Sequence, residues 1–167
     1  MNSMQQGHFK PKSFNSYLIK LVFCWFALGC QQPQSTITED DLFSSWSASQ
    51  ADGKPIFIDF YTDWCGPCKI MDKEVYSDTS IGNYLKENYH AIKFNPEKVR
   101  VVEAFGDTFK LDKNLRANTF INFATRHQFR GYPTAVILSS EGHLLWMSTG
   151  TMTKGEMLKA LKAHAVN

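Results

Sequence analysis

The stretch Trp64-Cys65-Gly66-Pro67-Cys68-Lys69 decides how this chain is read. Two cysteines stand two residues apart, behind the apolar run at 56–61 (IFIDFY) and ahead of residues with helical spacing. A strand feeding a helix N-terminus is a setting that makes a thiol reactive. The free N–H groups and partial positive charge there stabilise a thiolate, commonly by about one to several pKa units. Pro67 suits the first helical turn, where its missing N–H costs no intrahelical bond. Cys65, at that end, is expected to be the more exposed and more acidic thiol, the attacking group. Cys68, one turn in, is expected to be shielded and to act second. At this spacing both sulfurs reach one face and can close a small disulfide ring.

Outward from the pair, apolar periodicity switches repeatedly between strand and helix. Residues 36–50 read as a helix, with Thr38 as N-cap, acids at 39–41 in the first turn, and Leu42, Phe43 and Trp46 as its apolar stripe. Residues 51–55 break it. The run 56–61 reads as a buried central strand that holds Asp59, and a carboxylate there needs a reason. A helix from Cys65 to Tyr76 places Ile70, Met71 and Val75 inward, and a second runs to Asn88 with Ile81, Tyr84 and Leu85 periodic. Residues 90–95 (HAIKFN) read as a strand holding Lys93. The turn-rich Phe105-Gly106-Asp107 sits between two short strands, a hairpin, and residues 112–118 read as a polar connection. A helix at 119–128, strands at 134–138 and 143–148, and a Thr153-capped helix to His164 complete the order. The expected fold class is α/β: a mixed sheet with helices on both faces, ending in an antiparallel hairpin.

The chain has 167 residues, enough for one domain with a real core. An apolar fraction of 43% argues for a packed globule rather than disorder. Residues 31–167 carry 15 basic and 16 acidic side chains, so no basic surplus points to nucleic acid. Lys10, Lys12 and Lys20 precede the uncharged run 21–29 (LVFCWFALG), too short for the roughly 20 residues of a bilayer span. Residues 1–29 therefore read as an export signal. Gly29-Cys30, followed by the polar tether 30–37, resembles a bacterial lipoprotein signal. In such a signal Cys30 is lipidated and becomes the anchor. Ala27 and Leu28 depart from the usual order upstream, and an ordinary secretory signal cut nearby is the alternative.

The cysteines then sort themselves. Cys24 lies within the signal and Cys30 is the candidate lipid site, leaving Cys65 and Cys68 in the folded part. One pair makes no structural disulfide framework. A zinc site needs four ligands; there is no second cysteine pair, and His90, His127, His143 and His164 lack ligand spacing. Haem attachment requires His after the second cysteine, where this chain has Lys69. No metal and no cofactor are expected. The aromatics Phe105, Phe109, Phe120, Phe123 and Phe129 are expected in the core.

The hexapeptide at 64–69 resembles the active-site motif of thioredoxins. Asp59, six residues before Cys65, matches that family's buried acid. Lys93-Phe94-Asn95 is similar to the strand bearing the acid's lysine partner, and Tyr132-Pro133-Thr134 to the loop whose cis proline faces the dithiol. Gly150 before the last helix also fits. The resemblance covers roughly residues 38–165. Asp63 and the stretch 73–78 (KEVYSD) are more similar to the periplasmic thioredoxin-like domain of transmembrane thiol reductases. The departure is the stretch 96–117, where a small hairpin around 98–111 is an addition that covers the site or docks a partner. The resemblance implies a thioredoxin fold over 38–167. It implies catalysis by Cys65 and Cys68, with Asp59 shuttling the proton of Cys68 and Lys93 beside it. It implies substrate contact through Trp64, Gly66, Pro67, Tyr132 and Pro133. From the residues alone, Asp59 is also readable as a satisfied edge-strand carboxylate and Lys93 as a solvated strand lysine. Gly-Pro between the cysteines resembles reducing thioredoxins. The implied activity is therefore reduction of disulfide-bonded envelope proteins, on the periplasmic side, with an inner-membrane thiol reductase as electron donor. A disulfide oxidase or isomerase, and a thioredoxin-fold binding module without turnover, are the alternatives.

Overall fold

The computed structural model describes residues 41–166. The export signal, Cys30, the tether and the expected Thr38 cap lie outside the described residues. Helix α1 (Leu42–Asp52) is capped by Asp41, whose Oδ1 accepts from Phe43 N at 3.1 Å. It runs two residues into the expected break, and Gly53, in a left-handed conformation, ends it. Strand β1 (Ile56–Phe60) leads through a short loop to α2 (Gly66–Met71), then a π-helical turn (Asp72–Tyr76). Helix α3 (Thr79–Asn88) and strand β2 (His90–Phe94) follow. The chain continues with β3 (Val101–Ala104), β4 (Asp107–Asp112), β5 (Ala117–Asn118) and α4 (Phe120–Ala124). Strands β6 (Thr134–Leu138) and β7 (Leu144–Thr149) and helix α5 (Lys154–His164) close it.

The main sheet has the order β2-β1-β6-β7. Strand β1 pairs parallel with β2 and antiparallel with β6, and β6 pairs antiparallel with β7. All five residues of β1 are buried, because both faces of the sheet are covered. Side chains alternate along the strand. Ile56, Ile58 and Phe60 enter one core with Leu42, Ile92, Phe120, Val136 and residues of the small strands. Phe57 faces the other way, into a core with Met71, Val75, Tyr76, Ile81, Leu85 and Leu161. Each large apolar side chain buried there contributes roughly 1.5–3 kcal/mol of transfer free energy. By the same alternation Asp59 lies on the Phe57 face, the face covered by the helix that follows the cysteines.

Several local expectations are corrected. Phe43 and Ile70 are each half-exposed rather than inward. The inward stripe passes through Leu42 and Trp46 in one helix and through Cys68, Met71 and Val75 in the other. Phe43 and Ile70 lie about 100° off it. The helix after the cysteines is not regular to Tyr76: Ser77 N donates to Asp72 O, a span of five residues, and Val75 and Tyr76 both become buried. Helix α4 ends at Ala124 rather than at 128. Thr125 Oγ1 donates to Ile121 O at 2.7 Å, and Arg126 and His127 take left-handed φ values of 50° and 61°. The 112–118 connection contains strand β5, and the addition is a three-stranded sheet, β3-β4-β5, rather than a hairpin alone.

Beyond the apolar side chains it adds to the core, Asn118 and Phe105 tie that sheet to the body. Asn118 is fully buried; its Nδ2 donates to Val99 O at 3.0 Å and its Oδ1 accepts from Phe120 N at 2.9 Å. Phe105 heads the hairpin turn with a left-handed φ of 54°, unusual for an aromatic residue. Its ring packs against Trp46 at 5.4 Å and Phe123 at 5.3 Å. Gly142 makes the seat: a Cβ there lies 2.7 Å from Phe105 Cδ1, and its φ is 83°. The expected core aromatics Phe109 and Phe120 are buried, and Phe105, Phe123 and Phe129 pack partly buried against them.

Candidate active site

Cys65 caps α2 from an extended conformation, and its Sγ accepts from Cys68 N at 3.1 Å. The two sulfurs form a disulfide with the Cα atoms 5.3 Å apart. The expected difference in exposure is absent, for Cys65 is 2% and Cys68 1% exposed. Tyr61 lies in one buried cluster with the pair, and Tyr132 packs against that cluster. Gly66 and Pro67 are exposed on the first turn of α2.

Asp59 is fully buried, on an internal strand of the sheet, so the edge-strand reading falls. Its register partner on β2 is Lys93, which puts the two side chains on one face. Lys93 Nζ lies 3.8 Å from Asp59 Oδ2, an ion-pair distance longer than a hydrogen bond. The same ammonium bonds both oxygens of Asp72 at 2.5 Å and lies 4.5 Å from the centre of the Tyr61 ring. Only 9% of the Lys93 side chain is exposed, so it is no solvated strand lysine. Asp59 Oδ1 accepts from Tyr76 Oη at 3.3 Å, while Oδ2 has no hydrogen-bond partner. Burial pushes the Asp59 carboxyl up to about 7; Lys93 opposes the rise, Asp72 adds to it, and the Tyr76 hydroxyl bond opposes it. Burial and Asp59 together hold the Tyr76 phenol well above its ordinary value. Lys93 and Tyr61 also border a cavity of about 210 Å3. An acid poised near neutrality by burial is suited to take and return a proton at physiological pH.

Across the pair stands the Tyr132-Pro133 bond, which is cis. Tyr132 meets Trp64 edge to face at 5.9 Å and Phe129 at 4.9 Å. Trp64 is 68% exposed, and its Nε1 donates to Glu97 Oε2 at 3.0 Å. The structure thus gathers Cys65, Cys68, Trp64, Gly66, Pro67, Tyr132 and Pro133 at one end of the sheet, with Asp59 and Lys93 in the layer beneath.

Four participants were not readable as such: Tyr61, Asp72, Tyr76 and Glu97. Asp72 stands four residues after Cys68, one turn along the same helix, and that spacing was its one signal. Among the described residues no group of three or more His, Cys, Asp or Glu is placed to hold a metal ion. Among them, too, no helix is long and apolar enough to cross a membrane.

A cysteine pair at a helix N-terminus, a cis proline at the same end of the sheet and a buried acid on the face beneath define the class of fold to which this chain belongs. The chain belongs to the thioredoxin-like domain family, which matches residues 42–165. It is 34% identical over 107 residues to the thiol:disulfide interchange protein DsbD of Salmonella typhimurium, over 63% of this chain and 15% of that protein. The chain thus spans a small part of that relative's length. It is 23% identical over 140 residues to the thiol-disulfide oxidoreductase ResA of Halalkalibacterium halodurans, covering 81% of this chain and 78% of that one. A thioredoxin from Thermus thermophilus shares the fold with a TM-score of 0.54 at 19% identity, over 77% of this chain and 86% of its own.

Proposed function

We propose that this protein is a thiol–disulfide oxidoreductase of the bacterial envelope that reduces protein disulfides through Cys65 and Cys68. The observation that carries the reading is the redox pair at the α2 N-terminus above a buried Asp59 whose carboxyl is poised near neutral pH. The Cys65 thiolate attacks a substrate disulfide; one substrate sulfur leaves as thiolate and a mixed disulfide forms. Asp59 takes the proton of Cys68, whose sulfur then attacks Cys65 Sγ. The mixed disulfide breaks, the second substrate thiolate leaves, and the protein holds the Cys65–Cys68 disulfide. Two electrons pass to the substrate. The backbone around Tyr132 and Pro133, facing the pair, receives the substrate strand, flanked by Trp64, Gly66 and Pro67.

The proposed cellular setting rests on the N-terminal reading, and similarity to a thiol:disulfide interchange protein supports the chemistry placed there. Residues 1–29 direct export, Cys30 carries the lipid anchor, and residues 38–167 do chemistry on the periplasmic side. Disulfide-bonded envelope proteins are the substrates, and an inner-membrane thiol reductase returns the electrons. The test is insulin disulfide reduction with a Cys65→Ala control, coupled to the redox equilibrium of the pair against glutathione. Turnover with a low potential supports the reductase. A high potential without turnover makes it an oxidase or isomerase. Full retention of the cellular role by a Cys65→Ser, Cys68→Ser double variant makes it a binding module.

A further inference from the structure

Attack on a disulfide requires an open approach to a sulfur, and this pair offers almost none. Cys65 and Cys68 are both buried, in a cluster with Tyr61 against which Tyr132 packs. Tyr132 is wedged between Trp64 and Phe129. Trp64, though largely exposed, is held in place: both Glu97 oxygens accept from its Nε1, at 3.0 and 3.3 Å. Glu97 also lies within electrostatic reach of Tyr132, whose phenol is pushed up to about 12 by burial first and by Glu97 second.

Glu97 stands at the root of the added sheet, and that root is fixed. Asn95 Oδ1 accepts from Glu97 N at 3.1 Å, and Lys98 pairs with Asp63 at 3.0 Å. Asn118 N donates to Pro96 O at 2.6 Å. The addition therefore grips the two residues before Cys65, Asp63 through Lys98 and Trp64 through Glu97.

We propose that Tyr132 and Trp64, latched by Glu97, form a gate that closes the Cys65–Cys68 pair to small soluble disulfides and thiols and admits polypeptides. This rests on the exchange chemistry proposed above. A polypeptide strand pairing beside the Tyr132–Pro133 bond brings backbone binding energy that can displace a side chain. Glutathione has too little extended backbone to do so. Glu97 acts through Trp64 and is a positioning residue; Tyr132 sets specificity.

The experiment gives the reduced protein two disulfides under one set of conditions, oxidised glutathione and insulin. Both are attacked by the same Cys65 thiolate. In each case a leaving thiolate departs, and Cys68 then displaces the second, so for each substrate the ratio of variant to wild-type rate reports how that substrate reaches the sulfur. Tyr132→Ala raises the rate constant with oxidised glutathione about ten-fold. Glu97→Ala raises it about five-fold, as expected for one lost hydrogen bond, and Trp64→Phe, which removes the N–H together with the pyrrole part of the indole packed on Tyr132, raises it at least as much. Glu97→Gln keeps an acceptor and stays within about two-fold of wild type. Insulin reduction rises in none of them. The gate is refuted if Glu97→Ala and Trp64→Phe leave the glutathione rate within about two-fold of wild type, a comparison that stands even if Tyr132→Ala does not fold. It is refuted equally if both rates rise together, which marks a more nucleophilic Cys65. Wild-type protein that reacts with neither disulfide loses the exchange chemistry and the gate with it. Reaction with glutathione in preference to insulin removes the gate alone.

Discussion

Lys93 bonds both carboxylate oxygens of Asp72 at 2.5 Å while its ammonium stays 3.8 Å from Asp59. The lysine is thus committed to the outer acid, and the inner one is left with a partial counter-charge. Desolvation wins at Asp59 because the cation that opposes it is shared. Replacing Asp72 by Asn removes a negative charge that raises the Asp59 carboxyl and frees Lys93 to approach. Both changes act downward. Titration of the Asp59 side-chain carbon by NMR in Asp72→Asn is expected to give a midpoint below 7. A midpoint that stays or rises contradicts this account. Lys93→Met works in the opposite direction, removing the one cation that lowers the group.

The same acid makes stability depend on pH. The Asp59 carboxyl titrates near 7 in the folded chain against an ordinary value of 3.8. Between those values the folded state holds a proton that the unfolded state has lost, so stability falls as pH rises across the window. Below it both states are protonated and Asp59 imposes no penalty; above 7 the penalty is complete, roughly 4 kcal/mol in order of magnitude. Asp59→Asn removes the ionisation and keeps an acceptor for Tyr76. Urea unfolding is expected to show this variant gaining on wild type as pH rises from 4.5 to 8.5. An equal difference at both pH values rules out Asp59 as the source.

Gly142 tests whether the added sheet is seated as a rigid part of the body. Alanine there takes a strained left-handed φ and drives a methyl group to 2.7 Å from the Phe105 ring and 3.0 Å from that of Phe123. The expected cost is about 2–4 kcal/mol. Amide exchange should accelerate first in β3 and β4, because Phe105 is the anchor at their turn. Uniform acceleration across β1 and β6 instead would place the damage in the main sheet.

How far the sequence carried the fold is visible in which residues it placed. The alternating blocks were legible because both faces of the main sheet are buried, so strands read as continuous apolar runs such as 56–60. Cys65 and Cys68 were legible from their spacing, and the burial of Asp59 and the cis bond at Pro133 through motifs that resemble those of thioredoxins. Strand β5 was not, since Ala117 and Asn118 lie in a polar stretch and Asn118 works through its side-chain amide. Asp72 and Glu97 were hidden for another reason: an acid on a helix or in a loop looks solvated until the chain folds a lysine or an indole against it. The burial of Cys65 was equally out of reach, for Tyr132 is 67 residues away in the chain.

Asp59 is assigned to the second step of exchange, and kinetics can separate the two. The first attack depends on the Cys65 thiolate, stabilised at the α2 N-terminus, where Cys68 N already donates to its sulfur. The second, in the mechanism proposed above, depends on removing the Cys68 proton, with the fully buried Asp59 as the proposed base. Asp59→Asn should therefore leave the formation of a mixed disulfide with insulin nearly unchanged and slow its resolution by about 10²-fold or more, the ordinary scale of general-base catalysis. The mixed disulfide should accumulate and be visible on acid quenching and non-reducing electrophoresis, as it should in Cys68→Ala, where resolution is abolished. In wild type the resolution rate should rise with pH through about 7 and then level, following ionisation of Asp59; in Asp59→Asn that limb should vanish. If formation slows as much as resolution, the carboxylate acts on Cys65 or on the fold, and the proton of Cys68 leaves by another route.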